Sequence, residues 1–300
     1  MHKVLFTQLS SEGVGFLFYR TFAALKYALL LGVILFLIFP PHAMAADKRI
    51  VSLAPSNTEI LFALGLDEEI VGVSSYCNYP KSALSKTKVG DFSNPNIELI
   101  VSLKPDIIFA AGLEQNSVAG KLKQLGLNVV IVKPESFEEL FEAIIMMGSL
   151  TGRKEKALDI VSDMKAVIRE IEERVKLYHL RPRVFIEINS NPLMTSSRGS
   201  FLDEMIEMAG GINVAGDLAR PYCRVSEELV IKEKPDVIIV THTSAENILK
   251  RAGWEDIPAI KNNRVYSDIN PDILVRPGPR LVLGLDHLFC KMYGGLKRND

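Results

Sequence analysis

The stretch "VSLKPDIIFA", residues 101–110, returns in similar form as "IKEKPDVIIV", residues 231–240. In both copies a Lys-Pro-Asp triplet separates a segment with helical spacing from an apolar run rich in β-branched residues. Proline favours this change, because it cannot continue a helix and biases the preceding residue towards extended conformations. The triplet therefore predicts a joint between a helix and a buried strand, and its repetition predicts two similar halves.

The two halves also begin alike. Opening strands and the helices that follow them are predicted at "RIVSL" (49–53), "SNTEILFALG" (56–65), "RVFIEI" (183–188) and "SFLDEMIEMAGG" (200–211). In the first of these helices, Ser56 and Glu59 have the spacing of a capping box. Strands that alternate with helices and are apolar on both faces are typical of parallel sheets. We therefore expect an α/β fold with two Rossmann-like lobes.

The longest helical stretch lies between the two halves. Residues 153–178 place apolar side chains at the spacing of one helix face over about seven turns. We predict a first lobe at residues 46–152, a connecting helix at 153–179 and a second lobe at 180–300. One long rigid helix in this position would leave a ligand cleft between the lobes, and such clefts commonly bind small molecules.

The first 45 residues differ from the rest of the chain. Residues 27–39 form an apolar run that follows a weakly basic segment and precedes the sequence Ala-Met-Ala. This order is typical of a secretory signal peptide. We therefore predict that residues 1–45 are a signal peptide cleaved near Ala45-Ala46, and that the protein is periplasmic. The apolar run is shorter than the ~20 residues of a membrane span, but the long leading segment leaves an uncleaved anchor open as the alternative.

Bulk composition argues against several classes of protein. The formal net charge of the 300 residues is −1, and no long run of like charge indicates nucleic-acid binding. The three cysteines, Cys77, Cys223 and Cys290, are odd in number and too sparse for a disulfide-built scaffold, so at least one thiol should be free. None lies beside the expected cleavage site, so the sequence does not suggest a lipid-anchored N-terminus.

The sequence lacks the motifs of common enzymes. It has no P-loop, no Gly-x-Gly-x-x-Gly after a strand and no Gly-x-Ser-x-Gly. After residue 45 the histidines are His179, His242 and His287, and none has an acid or a thiol at motif spacing. We therefore predict a binding protein with no catalytic residues, no cofactor and no metal site.

Several residues in predicted loops are candidates for ligand contacts. They are Tyr76, Phe92, Met194, Tyr222 and Arg276. A single tyrosine in a loop more often packs on the protein surface than against a ligand. Together, however, these side chains bring rings, an apolar thioether and an arginine to loops of both halves, which suits a large, flat, amphipathic ligand.

Glu98 and Glu228 occupy the same place in the two halves, six residues before the lysine of each triplet. An acid in the first turn of a helix interacts favourably with the helix dipole by about 0.3–1 kcal/mol, which is enough to explain both residues. The alternative is that each lobe presents one carboxylate to a common partner. The pattern by itself leaves both explanations open.

Five stretches carry a resemblance to a known family. The vitamin B12-binding members of the cobalamin/siderophore class of periplasmic substrate-binding proteins are similar at "SLAPSNTEILFALG", "VGVSSYCNYP", "NIELIVSLKPDIIFA", "PLMTSSRGSFLDEMIEMAGGINVAGD" and "VRPGPRLVLGLDHL". The likeness extends from about Arg49 to Tyr293. It implies a protein that holds a corrinoid, cobalamin in the first place, between two lobes and delivers it to an ABC importer in the inner membrane. We expect this protein to be a monomer.

The resemblance also implies roles for single residues of the cleft. Tyr76, Phe92, Met194 and Tyr222 match loop positions that line the corrinoid cleft. Arg276 matches an arginine that faces the amide rim of the ligand.

Glu98 and Glu228 match paired surface glutamates that dock on arginines of a permease dimer. The resemblance therefore favours docking over the dipole explanation. A permease made of two equivalent subunits would require one such contact from each lobe.

The chain departs from the family pattern at the cleft. Phe92 and Tyr222 stand where larger rings are usual in close vitamin B12 binders, and Ala110, Ala111 and Gly112 stand where an aromatic residue is often found. Haem or a ferric siderophore is therefore an alternative ligand, and several arginines near the loops would suit an anionic siderophore. A membrane-anchored sensor or an exported enzyme on the same scaffold is the second alternative.

Overall fold

The fold is that of a computed structural model, which describes residues 48–112 and 116–294. The predicted signal peptide, and the membrane anchor that is its alternative, lie outside the described residues. Within the described ranges, no helix combines the length and the apolar character that crossing a membrane requires.

Eleven strands are present in the described part of the chain. They are β1 (Ile50–Ser52), β2 (Ile70–Val73), β3 (Ile107–Ala110), β4 (Val129–Ile131), β5 (Arg183–Glu187), β6 (Asn189–Ser190), β7 (Leu193–Ser196), β8 (Ile212–Asn213), β9 (Tyr222–Arg224), β10 (Val237–Val240) and β11 (Val265–Tyr266). Two parallel sheets, with the orders β2-β1-β3-β4 and β8-β5-β10-β11, are the centres of the two lobes. Both sheets therefore place their strands in the same order, which confirms the predicted α/β fold with two lobes.

A third, antiparallel sheet lies in the second lobe and was not expected from the sequence. It has the order β6-β7-β9, and it pairs Met194 with Arg224 and Ser196 with Tyr222. The prediction that Met194 and Tyr222 lie in loops was therefore wrong. These strands are only two to four residues long, which is too short for an alternating pattern to be recognised.

Helices cover the sheets and connect the lobes. They are α1 (Pro55–Ala63), α2 (Ile97–Ser102), α3 (Asn116–Gln124), α4 (Phe137–Leu150), α5 (Lys154–Val175), α6 (Phe201–Met208), α7 (Glu227–Glu233), α8 (Ala245–Leu249), α9 (Pro258–Lys261), α10 (Asp272–Val275) and α11 (Leu281–Tyr293). A short 3₁₀ helix occupies Lys81–Ser85.

The segment between the lobes is a pair of packed helices. A turn of three residues separates α4 from α5, and the two helices then pack against each other. The approach is closest at Gly148, where an added Cβ would lie 2.5 Å from the Cβ of Ala157. At 1.5 Å per residue, the 22 residues of α5 extend over about 33 Å. α5 falls within the predicted connecting helix, and α4 braces it from the side.

One hydrophobic cluster joins the two lobes. It includes Ile50 from the first sheet, Ile186 from the second, Ile144 from α4, Ile168 from α5 and Leu285 from α11. A continuous core resists separation of the elements that share it, because opening would expose buried apolar surface to water. The lobes are therefore joined by packing as well as by the connecting helices.

The lysines of the repeated triplets adopt the same unusual backbone. Lys104 and Lys234 both have a φ of 47°, in the left-handed region. This conformation ends the helix before each triplet, and the proline that follows prevents its continuation. The predicted helix-to-strand joint is therefore confirmed in both lobes.

The aspartate of each triplet forms a hydrogen bond to the start of the first strand of its own lobe, β1 or β5. Asp106 accepts a hydrogen bond from the backbone N–H of Arg49 at 2.8 Å, and Asp236 accepts one from that of Arg183 at 2.9 Å. The Nε of each arginine also donates to a carbonyl near the end of the helix before the triplet, at 2.8 and 3.0 Å. Each joint thus fastens a helix end and two strands together.

Candidate ligand-binding cleft

Two adjoining cavities form a cleft between the lobes. The first, of about 250 Å³, is bordered by the start of α1, by Phe92 and by residues 275–277. The second, of about 470 Å³, is bordered by the start of α6, by residues 220–222 and by Val275 and Pro277. Residues 133–134 also line both cavities, so the two are parts of one site, called the cleft below.

Parallel strands explain why loops of the first lobe meet at the cleft. Ala54 follows β1, Ala111 follows β3 and Lys133 lies two residues after β4, and all three line the first cavity. The carboxyl ends of parallel strands lie at the same edge of a sheet, which is where open α/β folds bind ligands. Lys133 was not recognised from the sequence, because a lone lysine after a strand has no distinguishing pattern.

Three of the five predicted ligand contacts border the cleft. Phe92 and Arg276 line the first cavity, and Tyr222 lines the second. Tyr76 is 59 % exposed and Met194 is half-buried, and neither lines these two cavities. The structure therefore brings Phe92, Tyr222 and Arg276 together, and contact of any of the five with a ligand stays a prediction.

Glu59 is a buried acid beside the cleft that the sequence pattern misassigned. Helix α1 begins at Pro55 after Ala54, and no side-chain capping bond forms at that end, so the predicted capping box with Ser56 was wrong. Proline is favoured in the first turn of a helix, and here it starts the helix before Ser56. The side chain of Glu59 is instead 2 % exposed, and it forms ion pairs with two arginines.

Arg276 is held from three sides before any ligand binds. Its Nη1 lies 3.3 Å from Oε1 of Glu59 and donates to Oδ1 of Asn78 at 2.7 Å. Its Nη2 lies 2.9 Å from Oδ1 of Asp272. Because these contacts fix the guanidinium group, a ligand would lose little affinity to the ordering of this side chain.

Arg280 forms the stronger pair with Glu59. Its Nε and Nη2 donate to the two carboxylate oxygens at 2.8 and 2.6 Å, and its guanidinium carbon lies 3.6 Å from the centre of the Tyr79 ring. The hydrogen bonds to Glu59 raise the pKa of Arg280 above its ordinary value. The sequence signal for this cluster is the pair of arginines in "VRPGPR", of which Arg276 was assigned to the ligand alone.

The cleft has an excess of positive charge. Lys133 pairs with Glu135, and both residues line the second cavity. Arg220 lines the same cavity, and within residues 48–112 and 116–294 it has no carboxylate partner at ion-pair distance. The second cavity can therefore accept a negatively charged or hydrogen-bond-accepting group.

Comparisons with known proteins agree with this architecture. A family model described as a periplasmic binding protein matches residues 50–270. The chain belongs to this family. It is thus a substrate-binding protein of an ABC transporter, and it acts outside the cytoplasm. Proteins of this family are not enzymes, so the alternative of an exported enzyme is wrong.

The names of the relatives of this periplasmic binding protein give different ligands or none. The ABC transporter substrate-binding lipoprotein YvrC of Bacillus subtilis is 38% identical over 82% of this chain and 80% of its own. The vitamin B12-binding protein of Vibrio cholerae is 32% identical over 82% of this chain and 90% of its own. A crystal structure of a possible iron-binding protein from Staphylococcus epidermidis is 36% identical, with a TM-score of 0.74 over 82% of this chain and 98% of its own.

The thiols lie in three different environments, and all three are free. Cys77 is buried and accepts a hydrogen bond from Oγ1 of Thr58 at 3.0 Å, and its burial raises the pKa of the thiol. Cys223 is half-buried and Cys290 is exposed. In the described part of the chain, no group of three or more His, Cys, Asp or Glu side chains is arranged to hold a metal ion.

Glu187 forms the other buried cluster of charge, within the second lobe. It is fully buried, and it accepts hydrogen bonds from Nη1 and Nη2 of Arg251 at 2.7 and 2.8 Å, while Nε2 of His242 lies 3.5 Å away. Arg251 in turn covers the ring of Trp254, which is fully buried and packs in the core of the second lobe. None of these residues lines the cleft cavities. The cluster therefore stabilises the second lobe and does not contact the proposed ligand site.

The two predicted docking glutamates occupy equivalent and exposed positions. Glu98 is the second residue of α2, and Glu228 is the second residue of α7. A hydrogen bond from Ser226 lowers the pKa of Glu228, so this carboxylate is charged at neutral pH. Both groups are available to a partner, and their docking role stays a prediction.

Proposed function

We propose that the protein captures a corrinoid, with cobalamin as the first candidate, in the cleft and delivers it to the permease of an ABC importer. The observation that carries this proposal is the presence of one aromatic ring from each lobe, Phe92 and Tyr222, in adjoining cavities of one cleft. Aromatic side chains bury large apolar areas against flat ligands. The identity of 32% with the vitamin B12-binding protein of Vibrio cholerae supports the same ligand.

Arg276 supplies the polar part of this proposed site. Its guanidinium group has five N–H donors in a planar fork, and those that Glu59, Asn78 and Asp272 leave unused suit the carbonyl oxygens of the amides around a corrinoid. Glu59 and Asp272 hold the group in place, so it is oriented before the ligand arrives. Tyr76 and Met194 are retained as contacts that a ligand larger than the two cavities would reach.

The cleft is proposed to be largely formed in the free protein. The hydrophobic cluster shared by the lobes and the ion pairs of Glu59 both oppose a wide opening. Binding to a preformed cleft costs little free energy in rearrangement. Capture of the ligand therefore requires only small movements of the lobes.

An anionic iron complex, either haem or a ferric siderophore, is the second candidate ligand. Arg220 favours it, because this residue adds a positive charge to the larger cavity beyond the Lys133–Glu135 pair. The Staphylococcus epidermidis relative, described as possibly iron-binding, supports the same alternative.

Equilibrium dialysis of the purified protein distinguishes these ligands. The protein is dialysed at one concentration against cyanocobalamin, haem or a ferric siderophore. The ligand retained on the protein side of the membrane is measured by its visible absorbance. The proposal expects saturable retention of cyanocobalamin. Saturable retention of haem or the siderophore, with none of cyanocobalamin, would establish the second candidate instead.

Delivery is proposed to use Glu98 and Glu228 as contacts with basic residues of a permease dimer in the inner membrane. The two lobes, at residues 46–152 and 180–300 with the connecting helix at 153–179, would each contribute one glutamate. We further propose a monomeric periplasmic protein whose signal peptide is cleaved near Ala45-Ala46. N-terminal sequencing of the protein from its native cells tests the cleavage, and a start at Met1 would favour an uncleaved membrane anchor.

A further inference from the structure

Val101 and Ile231 are exposed at equivalent places in the two lobes. Their exposed fractions are 42% and 37%, whereas the preceding residues Ile100 and Val230 are fully buried. Val101 and Ile231 are 130 residues apart, as are Ile100 and Val230 and the triplet lysines Lys104 and Lys234. Two large apolar side chains are thus turned to solvent in the same way on α2 and α7.

Each exposed apolar residue lies beside a proposed docking glutamate. Val101 follows Glu98 by three residues on α2, and Ile231 follows Glu228 by three residues on α7. Residues three apart are neighbours on the surface of a helix. Each lobe therefore presents an acid and a β-branched apolar side chain as one patch, which we call the docking pair.

Two exposed acids by themselves would give only weak association with a partner. An ion pair that stays in contact with water contributes little to association, because water screens the charges and both side chains lose freedom. An adjacent apolar contact excludes water from the pair and strengthens it. Valine and isoleucine are well suited, because their stiff side chains have few rotamers to lose.

We propose that Val101 and Ile231 are apolar docking contacts for the permease, each acting with its neighbouring glutamate. The inference rests on the proposed delivery function and adds a requirement to it. The permease dimer must offer two equivalent sockets, each of which combines a cation with an apolar surface.

Symmetry selects this occupant over a second copy of the chain. The patches occur once in each lobe, at equivalent places on α2 and α7, so a partner that contacts both must offer two equivalent sockets, as a dimeric permease does. The cation of each socket would pair with Glu98 or Glu228 near the start of its helix, whereas the exposed Lys104 and Lys234 lie at the opposite end.

Site-specific photo-cross-linking in the native cells tests the proposal without requiring knowledge of the ligand. A benzophenone-bearing phenylalanine analogue replaces residue 101, 231 or 125 of the full chain, one position at a time. Leu125 is the control, because it is 59 % exposed and lies just after α3, so it belongs to neither docking pair. Cross-linked products are identified by mass spectrometry.

Positions 101 and 231 should each cross-link to the membrane-spanning subunit of an ABC importer, at least tenfold above position 125. A signal no higher than that of position 125, a signal from one lobe alone, or cross-links to a second copy of the chain would overturn the proposal. Calorimetry with cyanocobalamin is performed in parallel. If the protein does not bind cyanocobalamin but the cross-links to the importer form, the corrinoid ligand is refuted and the docking inference is supported.

Affinity for the identified permease in lipid nanodiscs provides a second test. The Val101→Ala/Ile231→Ala double variant should bind at least tenfold more weakly than the unmodified protein. The matched control is Leu125→Ala/Leu283→Ala, which truncates two exposed leucines outside the docking pairs and should bind within twofold. Equal affinities for the two double variants would contradict the proposal.

Discussion

Glu59 and Arg280 are joined by two hydrogen bonds, of 2.8 and 2.6 Å, although they lie 221 residues apart in the chain. The carboxylate is buried in helix α1 of the first lobe, and the arginine immediately precedes α11 of the second. A buried carboxylate requires such partners, because its removal from water is otherwise costly. This pair therefore fixes how the two walls of the cleft meet.

Replacement of Glu59 by glutamine should destabilise the protein. The amide keeps the shape but leaves Arg276 and Arg280 without their shared charge, and breaking a buried ion pair in this way typically costs about 3–5 kcal/mol. The free energy of unfolding is measured by urea denaturation. Glu173→Gln is the control, because its pair with Lys176 is exposed on both sides, and this loss should stay below about 1 kcal/mol. Equal losses for the two variants would show that the Glu59 cluster does not hold the lobes.

Glycine at the joints should stabilise the fold. Lys104 and Lys234 occupy the left-handed region, where a side chain costs about 1–2 kcal/mol. Glycine avoids this cost but gains freedom in the unfolded chain, so each substitution should increase the free energy of unfolding by about 0.5–1 kcal/mol. Lys250→Gly is the control, because Lys250 has a φ of −96° and gains nothing. A loss of stability at either joint would contradict the assigned backbone.

Truncation of the cleft rings should weaken ligand binding. Phe92→Ala and Tyr222→Ala each remove apolar area from one cavity, and a loss of about 1.4 kcal/mol in each corresponds to a tenfold weaker affinity. Calorimetry measures the change, with Leu125→Ala as a control for exposed apolar truncation. Affinities that match the control for both ring variants would place the ligand elsewhere.

Removal of the two docking carboxylates should separate delivery from capture. The Glu98→Ala/Glu228→Ala double variant leaves the cleft unchanged, so its affinity for the ligand should equal that of the unmodified protein. Uptake of labelled ligand by cells that carry only this variant should fall at least tenfold, because the contacts with the permease are lost. Unchanged uptake would refute the docking role.

The repeat made the fold predictable, because it aligned two segments with the same order of strands and helices. The triplets at residues 104–106 and 234–236 correctly marked equivalent joints, and the order of helices and strands followed from local pattern. The β6-β7-β9 sheet was missed, since its short strands are stabilised by pairing rather than by their own sequence.

The candidate site was predictable only in part. Phe92 and Tyr222 were found because aromatic residues beside strand ends are conspicuous. Lys133 was missed because a lone lysine after a strand has no distinguishing pattern. Glu59 was misassigned because its partners, Arg276 and Arg280, come from the other lobe. A local pattern such as a capping box contains no information about partners more than 200 residues away.

Calorimetric titration of the purified protein with cyanocobalamin tests the central claim most directly. We expect saturable binding of one cyanocobalamin per chain, because one cleft is shared by the two lobes. An absence of saturable binding to cyanocobalamin, together with saturable binding of haem under the same conditions, would contradict the claim that this protein captures a corrinoid.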